Sequence, residues 1–509
     1  MRASSAAGDS NHSSSRLTDI LYLLMLTAGA FAVQGYHPAV EDAEIYLPQI
    51  QKLLHPSLFP FGAEFFESHA RLTLFPNLIA GSVRVTHAPL GWVLLGWQLL
   101  SIFLLLAACW KLSGVCFGDR SARWAGVTLV AALLTIPVAG TALYITDEYV
   151  NPRSLALFAA VFAVDAALRK KYGRVILWTA FAAVIHPLMA VFGLSVILVI
   201  VWLRDFGGAA LLRRGGTSRI AAGAAALILP LGISFRKPSQ AYQEIIQMRP
   251  YFFILRWHWY EWLGIFAPIV LIWWLGRRAR RRGQALADLL CCALVIYELV
   301  YFALALVMTI PPQLLAMVRY QPMRSLQLFY VLMFLLLGGW LGEIILRKRI
   351  PAWIALFLPL SIGMYFVQGQ IFPSTPHVEW PGHVPQNDWL QAFAWIRANT
   401  PENAIFALNP RHMDLRGEDE HGFRASTERS MLADAVKDSG AVTMFPDLPL
   451  AEQWEAQMKA QAGWEHFRAT DFMRLERDWG VSWVVLDQPG LTLPDCPYAN
   501  RTLRVCRLK

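Results

Sequence analysis

Three carboxylates lie within four residues near the amino end of the chain, in the segment Glu41-Asp42-Ala43-Glu44. They follow the first long apolar stretch, where carboxylates are costly to gather unless they bind a cation or take up a proton. Asp42 is the first choice for a general base that accepts a proton from a hydroxyl group, and Glu41 and Glu44 compete with it for that role. The alternative is a solvated loop whose charges have no chemical task.

A second acidic pair, Asp147-Glu148, stands between two later apolar stretches. Together with the first cluster, these carboxylates offer the hard oxygen ligands that Mg²⁺ or Mn²⁺ prefers, or a contact for the hydroxyl-bearing acceptor. The alternative is a turn that caps a membrane-spanning helix, because acidic side chains are stabilised at helix starts. The sequence leaves both interpretations open.

Basic side chains accompany these acids in the same group of loops. A guanidinium presents a planar fork of donors to phosphate oxygens, and lysine presents a compact charge. The candidates for a phosphate-binding role are Arg153, Arg236, Lys237, Arg319 and Arg324. Arg319 and Arg324 are five residues apart and do not face each other as helical neighbours do. One of the two is therefore expected to bind phosphate while the other anchors at the lipid headgroups.

Three further side chains are candidates for the walls of the same site. His186 stands before a proline in a predicted helix turn, where it is expected to satisfy a backbone group and to lie at the floor of a cavity. Tyr46 follows the first acidic cluster, and His37 precedes it. His37 and His69 lack close metal-ligand spacing, which disfavours a metal-binding role for either.

The composition predicts that helices crossing a membrane position these loops. Of 509 residues, 56% are hydrophobic and 16% are charged, and the mean hydropathy is +0.40. A soluble domain carries about 25% charged residues. Apolar stretches of spanning length recur, so the predicted fold class is a polytopic α-helical membrane protein. The net charge of +9 comes from short loops, as membrane orientation requires, and we expect no nucleic-acid partner.

Clusters of arginine and lysine assign one side of the membrane to the cytoplasm and predict about eleven spans. The predicted spans are 17–34, 88–113, 122–145, 154–168, 175–186, 187–203, 219–234, 261–277, 285–309, 325–346 and 351–368. They form a transmembrane domain over 17–370 that follows a disordered cytoplasmic tail (1–16) and carries a long first outer loop (35–87). Within that loop, 72–86 is predicted to be an interfacial helix, and 175–203 is predicted to be a hairpin of two short helices that turns at its central proline.

The chain after residue 370 is predicted to form a separate, small extracytoplasmic α/β domain, 371–509. Its predicted elements are helices near 386–399, 450–460 and 468–478 and strands near 404–408, 481–486 and 502–508. Cys496 and Cys506 flank a short turn and either close a hairpin disulfide, which suits an oxidising compartment, or remain free thiols. No internal repeat is present in the sequence, which disfavours an inverted-repeat transporter.

The chain resembles the GT-C superfamily of membrane glycosyltransferases, which includes the protein O-mannosyltransferases, the aminoarabinose transferases and the catalytic subunit of oligosaccharyltransferase. The acidic-x-acidic-x-Tyr motif of the first outer loop is similar to Glu41-Asp42-Ala43-Glu44-Ile45-Tyr46, and the second acidic motif would lie at Asp147-Glu148. A hairpin turn of bacterial members resembles Ala-Val-Ile-His186-Pro187-Leu-Met-Ala, and the start of their outer domain resembles Trp395-Ile-Arg-Ala-Asn-Thr-Pro401.

The resemblance implies an inverting glycosyltransferase of the bacterial inner membrane, which moves a sugar from a polyprenyl-phosphate-type carrier to an acceptor on the outer face. By that match Asp42 takes the place of the catalytic carboxylate, and the partners are membrane lipids, the polyprenyl-linked donor and an acceptor. A transporter or lipid flippase is the first alternative. It would need an ionisable group deep within the spans, where only Glu298 qualifies. A non-catalytic envelope assembly factor is the second alternative.

Overall fold

The structure is a computed structural model that describes residues 4–205 and 238–508. Two candidate phosphate ligands, Arg236 and Lys237, and the predicted span 219–234 lie outside the described residues. Within the described part, a helical body and a C-terminal α/β domain lie against each other.

Helices make up most of the chain as far as residue 371. In chain order they are α1 (Ser4–Gln34), α2 (Ala43–Leu54), α3 (Glu64–Ala70), α4 (Phe75–Thr86), α5 (Leu90–Cys116), α6 (Arg120–Ala132), α7 (Pro152–Leu168), α8 (Tyr172–Ile185), α9 (Pro187–Asp205), α10 (Gln240–Gln247), α11 (Trp259–Arg281), α12 (Ala285–Thr309), α13 (Ser325–Leu341) and α14 (Ile350–Ile371). Among the described residues, seven segments are long and apolar enough to cross a membrane. They are Arg16–Gln34 of α1, the whole of α5, α9, α11, α12 and α14, and Pro312–Leu346, which contains α13. The chain is therefore a multi-pass helical membrane protein.

The predicted spans within the described residues coincide with helices, but two boundaries differ. Helix α1 begins at Ser4, inside the stretch predicted to be a disordered tail. Helix α6 ends at Ala132 rather than near residue 145, because Pro137 lacks an N–H and biases the residue before it towards extended backbone. Residues 133–151 form an irregular segment instead, and it carries the second acidic pair to the start of α7. Since α6, α7 and α8 are shorter than the seven apolar segments, the number of spans stays a prediction.

The predicted helical hairpin is present, and its turn faces the first outer loop. Helix α8 ends at Ile185 and α9 begins at Pro187. The Thr73 hydroxyl donates to the Ile185 carbonyl at 2.5 Å, and the Leu74 N–H donates to the carbonyl of Val184 at 2.9 Å. Helix α4, the predicted interfacial helix, follows directly and packs on α2 and α5. The loop is thereby fixed to the helical body at the hairpin turn.

Helices α6 and α13 cross closely at the centre of the helical body. A Cβ at Gly338 of α13 would lie 2.6 Å from the Ala125 carbonyl oxygen of α6, and a Cβ at Gly126 would lie 2.6 Å from the Leu335 carbonyl oxygen. Only glycine allows backbones to approach this closely, as small residues commonly do between helices in lipid. This contact fixes the C-terminal part of α13, at the opposite end of the helix from Arg324.

The C-terminal domain has a five-stranded sheet with the order β2-β1-β3-β5-β4. Its strands are β1 (Ile405–Ala407), β2 (Ser430–Met431), β3 (Trp483–Asp487), β4 (Tyr498–Ala499) and β5 (Leu503–Arg507), and its helices are α15 (Asp388–Asn399), α16 (Phe423–Thr427), α17 (Lys437–Thr443), α18 (Leu450–Ala460) and α19 (Ala469–Trp479). The first three strands in that order are parallel, and β5 pairs antiparallel with both neighbours. The predicted α/β class is confirmed, and Cys496 and Cys506 form a disulfide.

Candidate active site

A cavity of about 380 Å³ lies where the helical body meets the C-terminal domain. Its walls come from the start of α2, the turn between α3 and α4, the turn between α8 and α9, the 3-10 segments before α13, and α17. Apart from tyrosines, the ionisable or amide-bearing side chains on its walls are Asp42, His69, Arg153, His186, Gln321 and Arg324. Most of the other wall residues are aliphatic or aromatic. The cavity therefore combines an apolar lining with a few convergent polar groups, as small-molecule sites do.

Arg153 joins the two predicted acidic motifs. Its Nη1 lies 2.5 Å from Asp42 Oδ2, and its Nη2 lies 2.9 Å from Asp147 Oδ2. Arg153 stands in the first turn of α7, which Asn151 caps by accepting the N–H of Ser154 at 3.0 Å. The Asn151 side-chain amide also donates to Asp147. A charge-assisted bridge of this kind holds Asp42 in one orientation.

Asp42 is the accessible member of this bridge. Its side chain is 26% exposed, against 9% for Asp147 and 5% for Arg153. Burial raises the pKa of the Asp42 carboxyl, but the charge and hydrogen bond of Arg153 outweigh that effect and lower the pKa below its ordinary value. Its Oδ1 lies 3.5 Å from the Lys437 ammonium, a longer contact. Asp42 is therefore an ionised carboxylate with one oxygen left to accept a proton.

Arg324 is a second cation on the cavity wall. It ends a 3-10 turn, Pro322–Arg324, which follows Gln321 in left-handed backbone with φ 44°. Within the part of the chain that the structure describes, its guanidinium has no hydrogen bond or ion pair, and its buried Nε has no partner. A buried donor without a partner is costly, and an acceptor-rich group placed in the cavity would supply one.

Three further polar side chains lie on the cavity walls: Tyr46, His69 and His186. Tyr46, on α2, has its pKa raised to about 12 by burial and by the charge of Asp42. His69 has its pKa lowered to about 4 by burial, so its imidazole is neutral at pH 7. His186 accepts the N–H of Met189 at its Nδ1, at 3.3 Å, which is the backbone role predicted for it.

Glu44 and Glu41 do not lie on the cavity walls. Glu44 is 1% exposed, and its two oxygens accept the N–H groups of Arg424 and Ala425 at 3.0 and 2.8 Å. Its carboxylate also pairs with the Arg424 guanidinium, so it fastens α2 to α16. Glu41 has left-handed backbone (φ 54°) that turns its side chain to the Lys437 ammonium. Neither carboxylate lines the cavity, which leaves Asp42 as the acid of the first motif that does.

Four other predicted site residues also lie outside the cavity, among them Asp147, which reaches it only through Arg153. Glu148 is 2% exposed, and burial followed by the charge of Asp147 raises its pKa to about 8. His37, predicted to line the cavity, instead faces Glu379 at 2.7 Å, because the chain turns back on the C-terminal domain there. Arg319 reaches the Tyr320 hydroxyl at 3.0 Å. Of the two arginines before α13, Arg324 is thus the one that faces the cavity.

No prediction was made for Lys437, which contacts two of the three acids of the first motif, Glu41 and Asp42, from the C-terminal domain. Burial lowers the pKa of its ammonium to about 7. A weak signal was present, since Lys437 is the only lysine between Lys348 and Lys459. Gln321 was also missed, because nothing in its local sequence separates a cavity wall from an ordinary turn.

The acidic residues as arranged do not form a divalent-cation site. Such a site needs two or more carboxylate oxygens free to converge on the ion. Here the guanidinium of Arg153 stands between Asp42 and Asp147 and bonds both, and Lys437 adds a second positive charge beside Asp42. A magnesium or manganese ion stays a prediction, and the chemistry proposed for the cavity does not depend on it.

Comparison with solved structures finds similarity to the oligosaccharyltransferase of the archaeon Archaeoglobus fulgidus. A form tethered to an acceptor peptide is 12% identical with a TM-score of 0.49, covering 92% of this chain and 68% of that one. The complex with zinc and sulfate is 13% identical with a TM-score of 0.46, at the same coverage. The complex with an inhibitory peptide and a dolichol-phosphate is 13% identical with a TM-score of 0.46, covering 93% and 70%.

No protein-family profile and no curated protein sequence matches the chain. Identities of 12 to 13% and TM-scores of 0.46 to 0.49 give no ground for transferring a substrate, a residue role or a metal from those enzymes. The function has to be argued from the cavity of this chain.

Proposed function

We propose that this protein is a membrane glycosyltransferase that moves a sugar from a polyprenyl-phosphate-type carrier to an acceptor hydroxyl on the outer face of the membrane. The observation that carries the proposal is the cavity in which Asp42, ionised and oriented by Arg153, shares an apolar pocket with Arg324, whose guanidinium has no partner among the described residues. A lipid phosphate has an anionic head and an apolar tail. The cavity offers a matching surface to each.

The reaction follows from the roles that these groups support. The acceptor oxygen attacks the anomeric carbon while the bond from that carbon to the carrier phosphate breaks, and the bonding electrons leave with the phosphate. Arg324 stabilises the phosphate as it leaves. Asp42 takes the acceptor proton on Oδ1, the oxygen that Arg153 does not hold. A single displacement of this kind inverts the configuration at the anomeric carbon.

The low pKa of Asp42 is compatible with this role. A hydroxyl becomes a strong acid as its oxygen bonds to the sugar, so the proton can pass late in the step to a weak base. What the carboxylate must do is remain ionised and stay in place, and Arg153 ensures both. Orientation of this kind contributes much of an enzyme's rate enhancement.

The surroundings of Glu298, the residue on which a transporter would depend, favour an enzyme over a transporter. It is fully buried, and it accepts the Ser325 hydroxyl at 3.1 Å. It does not line the cavity. An ionisable residue on a transport path should face a cavity open to water, and Glu298 faces the packed side of α13.

Binding of the carrier head can be tested without knowing the sugar. Full-length protein in lipid nanodiscs would be titrated with undecaprenyl phosphate and with undecaprenol, which lacks the phosphate. We expect the phosphate to bind at least tenfold more tightly, and Arg324→Met to abolish that preference. Arg319→Met is the matched control, because Arg319 is near in sequence but outside the cavity. Equal affinity of Arg324→Met and wild type for undecaprenyl phosphate would overturn the proposal.

A further inference from the structure

Two histidines and a glutamate meet away from the cavity, where the first outer loop crosses the C-terminal domain. His37 Nδ1 lies 2.7 Å and His421 Nε2 lies 2.9 Å from Glu379 Oε1. One ligand atom from each of the three lies within 4.8 Å of the other two. The side chains are 1%, 0% and 8% exposed, in the order His37, His421, Glu379. The proposed sugar transfer uses none of them.

The hydrogen bonds of His421 fix the position of its proton. Its Nδ1 lies 2.9 Å from the carbonyl oxygen of Glu418, which only accepts, so Nδ1 carries the hydrogen. In the neutral ring, Nε2 then presents a lone pair to the carboxylate of Glu379, 2.9 Å away. Two lone pairs at this distance repel each other unless a cation lies between them or the ring carries a second proton.

The same arrangement is typical of a metal-bound histidine. Such a histidine commonly donates its other N–H to a backbone carbonyl, which fixes the ring and makes it a better ligand. Two imidazoles and a carboxylate suit Zn²⁺, with bonds of about 2.0–2.2 Å. Tetrahedral ligands at that bond length lie about 3.3 Å apart. The pairs at 2.7 and 2.9 Å therefore need to open only slightly.

Tyr36 provides a second observation that points to a ligand. It is fully buried, and its hydroxyl has no hydrogen-bond partner among the residues that the structure describes. Its backbone carbonyl accepts the N–H of Glu379 at 2.9 Å, so it lies directly beside the three side chains. A water molecule bound as the fourth ligand of an ion would give this hydroxyl a partner.

We propose that His37, His421 and Glu379 bind one Zn²⁺ ion that fastens the first outer loop to the C-terminal domain. The ligands come from segments 342 positions apart in the chain. Backbone bridges, Tyr36 with Val378 and Val40 with His421, already hold these segments together. The ion would therefore bind to ligands that the fold has placed, and it would fix the segment that leads directly to Asp42.

The test measures metal content, so it is independent of the sugar-transfer proposal. Full-length protein in detergent would be stripped with a chelator, incubated with Zn²⁺, passed through a gel-filtration column and analysed for metal. We expect about one zinc per chain for wild type and for His466→Gln, a histidine exposed on the surface. His421→Gln should lose the zinc, and Asp42→Asn should keep it.

Two outcomes would overturn the proposal. Loss of zinc in Asp42→Asn with retention in His421→Gln would assign the ion to the cavity instead. Failure of folded wild type to take up Zn²⁺, or to give the visible absorption of tetrahedral Co²⁺ on titration with cobalt, would leave a doubly protonated His421 as the explanation. The cobalt titration needs no variant, so it decides the matter even where His421→Gln does not fold.

Discussion

The two oxygens of Asp42 stand in different surroundings. Oδ2 is held by Arg153 at 2.5 Å, and Oδ1 has only the longer contact with Lys437 at 3.5 Å. Asp147 holds the other side of the guanidinium. The second acidic motif therefore positions the first through Arg153 and does not supply another base. In the proposed reaction, this division of roles leaves a single carboxylate to act as the base.

Replacing that carboxylate separates binding from turnover. We expect Asp42→Asn to bind undecaprenyl phosphate at least as tightly as wild type, since a negative charge is removed near the phosphate. It should lose about 10²–10⁴-fold in transfer, the usual contribution of a general base. Release of undecaprenyl phosphate from a panel of undecaprenyl-phosphate-linked sugars measures the transfer. Glu41→Gln is the control and should retain most activity, because Glu41 lies outside the cavity. Full activity of Asp42→Asn would exclude Asp42 as the base.

The pH profile tests the role of Arg153. Because Arg153 lowers the pKa of Asp42, the wild-type base should stay ionised, and kcat/KM should stay level, down to below the ordinary aspartate value of about 3.9. In Arg153→Gln the pKa should rise by about 1–3 units, so that activity is lost at a higher pH as the acidity increases. Arg319→Gln should leave the acid limb where it is. An unmoved acid limb in a folded Arg153→Gln would contradict this account.

The helices and strands could be predicted because each carries its signal locally. The apolar runs of α5, α9, α12 and β3 and the interleaved polar and apolar residues of β5 do not depend on what they pack against. The cavity could be predicted only in part. Asp42 and Arg153 can be recognised as candidates because they are charged residues next to apolar runs. The partner of Glu44 cannot be recognised in this way, because it is Arg424, 380 positions away. No local pattern records such a contact, so Glu44 and Asp42 look equivalent in sequence and differ completely in the structure.

The pair of Glu44 and Arg424 should hold α2 against α16. Both side chains are 1% exposed. Arg424 keeps Asp438 as a partner when Glu44 is removed, but the backbone N–H groups of Arg424 and Ala425 lose their acceptor, at a cost of about 1–3 kcal/mol each. We expect Glu44→Ala to lower the melting temperature clearly and to expose the C-terminal domain to limited proteolysis. Glu67→Ala is the matched control, because the Glu67–Lys52 pair is 32% and 26% exposed and such pairs contribute about 0–1 kcal/mol. Equal stability of the two variants would show that the buried pair does not fasten the domain.

The helical body and the C-terminal domain together form the walls of the cavity. The first outer loop contacts the C-terminal domain at His37, at Glu41 and at Glu44, and Asp42 lies between these contacts. The helical body supplies Arg153 and Arg324, and α17 closes the cavity from the other side. A site assembled from both bodies requires the first outer loop, the helix ends that line the cavity and the C-terminal domain to be on the same side of the membrane. The orientation of the chain therefore decides on which face of the membrane the proposed reaction takes place.

That orientation can be measured by labelling single introduced cysteines with a membrane-impermeant maleimide on intact cells. The basic loops predict that residue 170 is inside and that loop one and the C-terminal domain are outside. We expect Ser57→Cys and Lys459→Cys to be labelled on intact cells, and Lys170→Cys only after permeabilisation, since all three positions are exposed. The free native cysteines are buried or half-buried and should give little background. Labelling of Lys170→Cys on intact cells, with protection of the other two, would place the cavity in the cytoplasm and contradict an outer-face reaction.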